Sequence, residues 1–275
     1  MSAIVQRAVA VAEGQAGQPS AAPRPGGQLL RLDGVSRHFG SLKAVDSVTF
    51  DMAAGELRAV IGPNGAGKTT FFNLISGLLP PTTGEVWFDG ENITRERVVR
   101  RVARGIVRTF QITEILPDLS VRENIRIGVE TAARLNARPW VSRAMRRALD
   151  DRVAELIRIV DLAGKENRVV GELAHGDQRV VEVAMALSLK PRLLLLDEPT
   201  AGMGDAESEH MIGLIRRLHA EQGVSILFIE HDMDMVFGIA KRITVLDQGR
   251  VLADGAPAAI AADPKVRAAY LGTAA

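Results

Sequence analysis

Gly62-Pro63-Asn64-Gly65-Ala66-Gly67-Lys68-Thr69 lies between an apolar run, residues 57–61, and a helix-forming stretch, residues 70–79. Glycines at the first and sixth positions, followed by Lys-Thr, fit a loop whose backbone N–H groups turn inward around phosphate oxygens. The helix behind such a loop points its positive end at the same oxygens. Lys68 is expected to reach the β- and γ-phosphates, and the Thr69 hydroxyl to ligate a Mg²⁺ ion carried by them, with Pro63, Asn64, Gly65, Ala66 and Thr70 completing the phosphate-binding set. A strand before and a helix after are the context that the motif requires, and together they imply a nucleotide site.

The second chemical element is Leu193-Leu194-Leu195-Leu196-Asp197-Glu198. A continuous apolar run is the pattern of a parallel strand covered on both faces, and in open α/β sheets ligands bind at the carboxyl ends of such strands. Asp197 is placed to hold Mg²⁺ through its water shell, and Glu198 to polarise the water that attacks the γ-phosphate.

Residues 29–32, 45–50 and 85–88 read as strands of an antiparallel lobe. Residues 225–229 and 243–246 read as further strands, and the helix-forming segment 207–222 joins 193–196 to 225–229 in a β-α-β unit. Between the two halves the texture is helical over 125–135 and 143–162, where Val153, Leu156, Ile157 and Val160 recur at helical spacing. The fold class is therefore α/β: a phosphate-loop core with an antiparallel β lobe and a helical subdomain over about 112–190. Residues 1–28 form a flexible N-terminal tail, and about 251–275 a C-terminal tail.

Composition bounds the function classes. A chain of 275 residues with 47% apolar content can bury a substantial core. A net charge of +1 leaves no electrostatic footprint for nucleic acid, and the absence of cysteine excludes disulfides, thiolate metal sites and a cysteine nucleophile. No stretch approaches the roughly 18 apolar residues of a membrane-spanning helix. The basic segment 134–147, with Trp140, reads as a solvated helix face.

The order and spacing of Gly62 to Thr69, Gln111, Leu173-Ala174-His175-Gly176-Asp177-Gln178, Asp197-Glu198 and His231 resemble the nucleotide-binding subunit of ABC transporters, from about Leu29 onward. That resemblance implies an ABC-type P-loop core whose site is completed by a second ATPase subunit, identical or not. It places Ala174, His175, Gly176 and Asp177 against the γ-phosphate held by that partner, and Gln111 beside Mg²⁺ and the attacking water. His231 would contact the γ-phosphate and hold the water, and Phe39 would stack on adenine. The element departs from Leu-Ser-Gly-Gly-Gln: Ala174 removes the serine hydroxyl, His175 fills a glycine position and Asp177 puts a carboxylate near phosphate. Gly204 stands where many relatives carry aspartate in the loop between subunits.

Phe39-Gly40, the segment Gly105 to Gln111, Thr200-Ala201-Gly202-Met203 and the ending Asp263 to Gly272 look like the ATPase of branched-chain amino acid importers. Urea and short-chain amide importers share much of this pattern. The expected setting is peripheral, on the cytoplasmic face of the inner membrane. The expected partners are two permease subunits and, indirectly, a periplasmic binding protein. A soluble ABC ATPase acting on ribosomes or DNA, and a regulatory module that holds ATP without hydrolysis, are the readings from other classes. Retention of Glu198 and His231 argues against the second.

Overall fold

The computed structural model describes residues 27–109, 115–133 and 142–271. The tail assigned to residues 1–28 lies outside this range except for its last two residues, as do Phe110, Gln111, Trp140 and Gly272. The chain divides into two compact units, one containing residues 99–191 and the other residues 23–98 and 192–275.

In the larger unit, β1 (Gln28–Phe39) and β2 (Leu42–Ala53) form a long hairpin, and β4 (Thr83–Phe88) and β5 (Glu91–Asn92) extend it to a sheet ordered β2-β1-β4-β5. Both hairpin strands run well past the segments expected at 29–32 and 45–50. A register shift around Gly34, whose φ is +55°, breaks the alternation of β1 and masks its polar second half.

The second sheet of this unit is built on β3 (Leu57–Ile61), β7 (Leu193–Asp197) and β8 (Ser225–Ile229), with β9 (Arg242–Asp247) parallel to β3 and β10 (Arg250–Gly255) antiparallel to β9. Every residue of β3 and β8 is buried. That is why these strands read as unbroken apolar runs rather than as alternations.

Helix α1 (Lys68–Ser76) starts two residues before the expected helix and stops at Gly77, which takes the left-handed conformation as C-cap. Helix α6 (Asp205–Gln222) joins β7 to β8, and α7 (Met233–Ile239) follows β8. The C-terminal region continues through β10 into α8 (Pro257–Ala262) and α9 (Pro264–Leu271), each starting at a proline, which lacks only an N–H that a helix start leaves unpaired anyway.

The smaller unit holds α2 (Val98–Ala103), a short strand β6 (Ile106–Arg108), α3 (Val121–Ala132), α4 (Arg143–Ile159) and α5 (His175–Ser188). Ser120 and Glu123 form a capping box that starts α3 ahead of the apolar periodicity at Ile125. Buried Asn124 accepts from Leu116 N–H at 2.7 Å and donates to the carbonyls of Leu116 and Ser120 at 3.0 Å, tying the incoming loop to α3. Val153, Leu156, Ile157 and Val160 are all buried, as their spacing predicts.

Within α5, Glu182 is buried and pairs with Arg179 at 3.2 Å; burial outweighs that pairing and pushes its carboxyl up to about 7. A raised carboxyl pKa leaves stability intact below the ordinary value of 4.5 and removes it as pH rises through about 7. Wild type and Glu182→Gln should therefore unfold alike at acidic pH. Glu182→Gln should be the more stable by about 1–2 kcal/mol near pH 8. Urea denaturation at both pH values checks this, and coincident curves at the higher pH would contradict it.

Candidate functional site

Parallel pairing aligns three chain exits of the larger unit. Val60 of β3 lies opposite Ile229 of β8, and Ile229 opposite Asp197 of β7. The chain therefore leaves toward Gly62, Glu198 and Glu230 from one carboxyl edge, which is where open α/β sheets bind ligands.

The loop from Gly62 to Thr69 is shaped by contacts that tolerate no side chain. A Cβ on Gly62 would come 2.1 Å from the Leu246 carbonyl oxygen, and one on Gly67 would come 2.2 Å from that of Ala44, at φ of +155° and +98° respectively. From below, Gly249 N–H donates to the Ala66 carbonyl at 3.0 Å. Gly67 is the N-cap of α1 and supplies no side-chain acceptor, so the first-turn N–H groups face the loop. Asn64, Gly65 and Thr69 are exposed, whereas Ala66 is buried beneath them.

Lys68 is buried, and its ammonium donates to the carbonyls of Gly62 at 2.7 Å and Pro63 at 3.0 Å. Burial lowers its pKa, opposed by the negative charges of Glu198 and Asp197. The cation and both carboxylates thus share one electrostatic neighbourhood, as phosphate and metal handling demand. Among the described residues no cluster of three or more His, Cys, Asp or Glu side chains is arranged to hold a metal unaided. The Thr69 hydroxyl and the Asp197 carboxylate are hard oxygen donors of the kind that bind Mg²⁺ jointly with phosphates. Gln111, expected to join them, is among the residues outside the description.

Glu198 has φ of +48°, unusual for a residue with a side chain. Two backbone bonds hold it there: its N–H donates to the Ile229 carbonyl at 2.9 Å, and its carbonyl accepts from Ala201 N–H at 3.1 Å. Its Oε1 lies 3.0 Å from His231 Nε2, and both side chains are about half exposed. An ionised carboxylate only accepts, so this contact places the imidazole proton on Nε2.

Phe39 ends β1 and is 44% exposed, enough to offer a ring face to a flat partner, while the Arg37 guanidinium covers the ring at 4.7 Å. The same hairpin brings Ala44 against Gly67.

The element from Leu173 to Gln178 belongs to the smaller unit. Helix α5 begins at His175 with Ala174 as N-cap, so Gly176 and Asp177 lie in its first turn. Ala174 and His175 are exposed, and no side chain caps the helix. Asp177 is held by Lys165, whose ammonium donates to both carboxylate oxygens at 2.8 and 2.6 Å. That pairing offsets the charge which the sequence alone sets against phosphate. Lys165 carries no sequence signal, being placed only by the turn that precedes α5.

Sequence reasoning also missed Glu230. This carboxylate is 4% exposed and accepts from Thr200 N–H at 2.9 Å, from the Thr200 hydroxyl at 2.5 Å and from His231 N–H at 2.9 Å. Its signal was an acid at the end of an apolar strand, adjacent to a singled-out histidine. Gly204 is the N-cap of α6, and its N–H donates to the Glu207 carboxylate at 3.3 Å.

Comparison with known proteins gives a consistent set of likenesses. Residues 45–201 match the ABC transporter family, and residues 250–275 match the family described as branched-chain amino acid ATP-binding cassette transporter. The chain is 38% identical over 252 residues to the high-affinity branched-chain amino acid transport ATP-binding protein BraF of Pseudomonas aeruginosa, covering 90% of this chain and 98% of that protein. It is 37% identical, with the same coverage, to the LivG protein of the same description from Escherichia coli. Its fold matches the crystal structure of the ADP conformation of an ATP-binding cassette of an ABC transporter with a TM-score of 0.77 and 30% identity, covering 89% of this chain and 99% of that one.

Proposed function

The chain belongs to the ABC transporter family, and on that premise we propose that it is the ATP-hydrolysing subunit of an importer for branched-chain or related amino acids. The observation that carries the hydrolytic half is the 3.0 Å contact of Glu198 with His231 at the strand edge that also carries the Lys68 loop. The similarity of residues 250–275 to the branched-chain family supports the cargo.

In this reading the α1 N-terminus and the glycine loop receive the β- and γ-phosphates, and Phe39 stacks on the adenine. Lys68 exchanges its two carbonyl contacts for phosphate oxygens and offsets their charge. Thr69, Asp197 and Gln111 would hold Mg²⁺, which when bound would offset charge on the γ-phosphoryl group. Glu198 takes a proton from the attacking water, and His231, turning its one Nε2–H from Glu198 to the γ-phosphate, holds that water in place. The γ-phosphoryl bond to the leaving oxygen breaks as the water oxygen bonds to phosphorus, giving ADP and inorganic phosphate.

The site is completed by a second ATPase subunit, identical or not, whose Ala174, His175, Gly176 and Asp177 equivalents close over the γ-phosphate. Closure drives two permease subunits, fed by a periplasmic binding protein, with this chain peripheral on the cytoplasmic face of the membrane. Among the described residues no helix is long and apolar enough to cross a membrane.

The test is ATPase rate against protein concentration, for the chain alone and with a co-expressed partner ATPase and permeases. It is followed by uptake of labelled leucine into proteoliposomes. A steep concentration dependence marks self-paired sites, and activity only with partners marks heteromeric ones. Absence of hydrolysis in every combination would overturn the ATPase assignment, and hydrolysis without leucine uptake would overturn the cargo.

The Lys165 pairing gives a further expectation in the assembled complex. Lys165→Ala leaves Asp177 uncompensated beside the partner's phosphate and should raise KM for ATP by about 2- to 10-fold, a modest effect because the pair is partly exposed. Adding Asp177→Asn should reverse it. An unchanged KM in Lys165→Ala would remove Asp177 from the phosphate's vicinity.

A further inference from the structure

Two loops deliver the hydrolytic pair, and one buried group joins them. Glu198 opens the loop that runs through Thr200 to Gly204, and His231 lies in the segment between β8 and α7. Glu230 sits between them: its Oε1 receives both the backbone N–H and the hydroxyl of Thr200, and its Oε2 receives the N–H of His231. On the far side of His231, Asp232 caps α7 by accepting from Asp234 N–H at 2.9 Å and Met235 N–H at 3.2 Å. The histidine is therefore fastened on both flanks, and on the Glu230 side the fastening is a carboxylate that also binds the loop of Glu198.

We propose that Glu230 is a positioning residue for hydrolysis, a buried carboxylate clamp that fixes the separation and mutual orientation of Glu198 and His231. It does so by tying Thr200 to His231. The proposal rests on the reading of Glu198 and His231 as the hydrolytic pair.

A carboxylate suits this place because both ends of the clamp offer donors. Thr200 presents N–H and O–H on one side and His231 presents N–H on the other, so two acceptor oxygens are needed. An amide has one acceptor and one donor, and Glu230→Gln must set an NH₂ against an N–H at one end. Thr200 is itself 8% exposed, and its hydroxyl also lies 3.7 Å from Met235 Sδ, so no solvent is at hand to replace the lost partner. The carboxylate of Glu230 is bonded to Thr200 and His231 rather than to the Gly62 to Thr69 loop, and its loss should leave nucleotide affinity alone while loosening the pair that acts on the water.

The experiment compares kcat, KM and ATP affinity for Glu230→Gln, Thr200→Val and Thr200→Ser on the full chain, under the conditions of maximal hydrolysis. The first two are also made in a His231→Ala background. Expected are a fall in kcat of about 10-fold or more for Glu230→Gln and a smaller fall for Thr200→Val. Both should keep KM and ATP affinity within about twofold, and Thr200→Ser should restore the rate. In the His231→Ala background neither variant should slow hydrolysis further, because there is no longer an imidazole to position. If Glu230→Gln does not fold, Thr200→Val decides. Wild-type kcat in Thr200→Val, or losses that multiply unchanged in the His231→Ala background, would overturn the clamp. A wild-type rate in His231→Ala itself would instead overturn the assignment of the pair.

Discussion

Glu198→Gln should reduce ATP turnover by about 10²- to 10⁴-fold while ATP binding stays within about threefold of wild type. The amide is isosteric and can still accept from His231 Nε2, so the 3.0 Å contact survives and the loop keeps its shape. The backbone at φ +48° is held by Glu198 N–H to Ile229 and by Ala201 N–H to the Glu198 carbonyl, neither of which uses the side chain. What the variant lacks is a group basic enough to take a proton from water. Glu198→Asp separates charge from reach: it keeps a carboxylate but draws it back by one methylene, and should recover only part of the loss. Steady-state hydrolysis measured beside equilibrium binding of a fluorescent ATP analogue checks both halves. Turnover near wild type in Glu198→Gln would sink the assignment.

The parts of the site that were legible in the sequence are those whose chemistry is local. Gly62 to Thr69 must be contiguous because one loop wraps one phosphate chain, and Asp197-Glu198 ends an apolar run because a doubly covered strand delivers it. Long-range partners were not legible. Glu230 finds Thr200 thirty residues away through the pairing of β7 with β8, and Lys165 finds Asp177 across a turn, so neither spacing is periodic. In the fold, fully buried strands and strongly capped helices were readable. The second half of β1 was not, since Ser36, Arg37 and His38 carry no apolar alternation and the register shift at Gly34 breaks what remains. The start of α5 was not legible either, because Ala174, which carries no side-chain acceptor, serves as its N-cap.

The motif's own spacing yields the second large effect. Gly67→Ala should abolish detectable ATP binding at concentrations that saturate wild type, and should lower stability by about 3 kcal/mol or more. The new methyl would sit 2.2 Å from the Ala44 carbonyl oxygen, and a backbone atom cannot swing aside as a side-chain tip would. Relief requires moving the loop away from β2, which turns the first-turn N–H groups of α1 off the phosphate position and takes Lys68 with them. Gly65 lies two residues earlier, also at positive φ, +79°, yet a Cβ there meets nothing within 4 Å. Gly65→Ala should therefore lose only the strain of a left-handed backbone, about 1–2 kcal/mol. The contrast explains why the motif fixes glycine at positions 62 and 67 and leaves 65 open: the fixed ones are those against which other strands are packed. Urea denaturation and ATP titration of the two variants side by side measure it. Equal stability losses in Gly67→Ala and Gly65→Ala would show that φ alone, and not the approach of Ala44, sets the requirement.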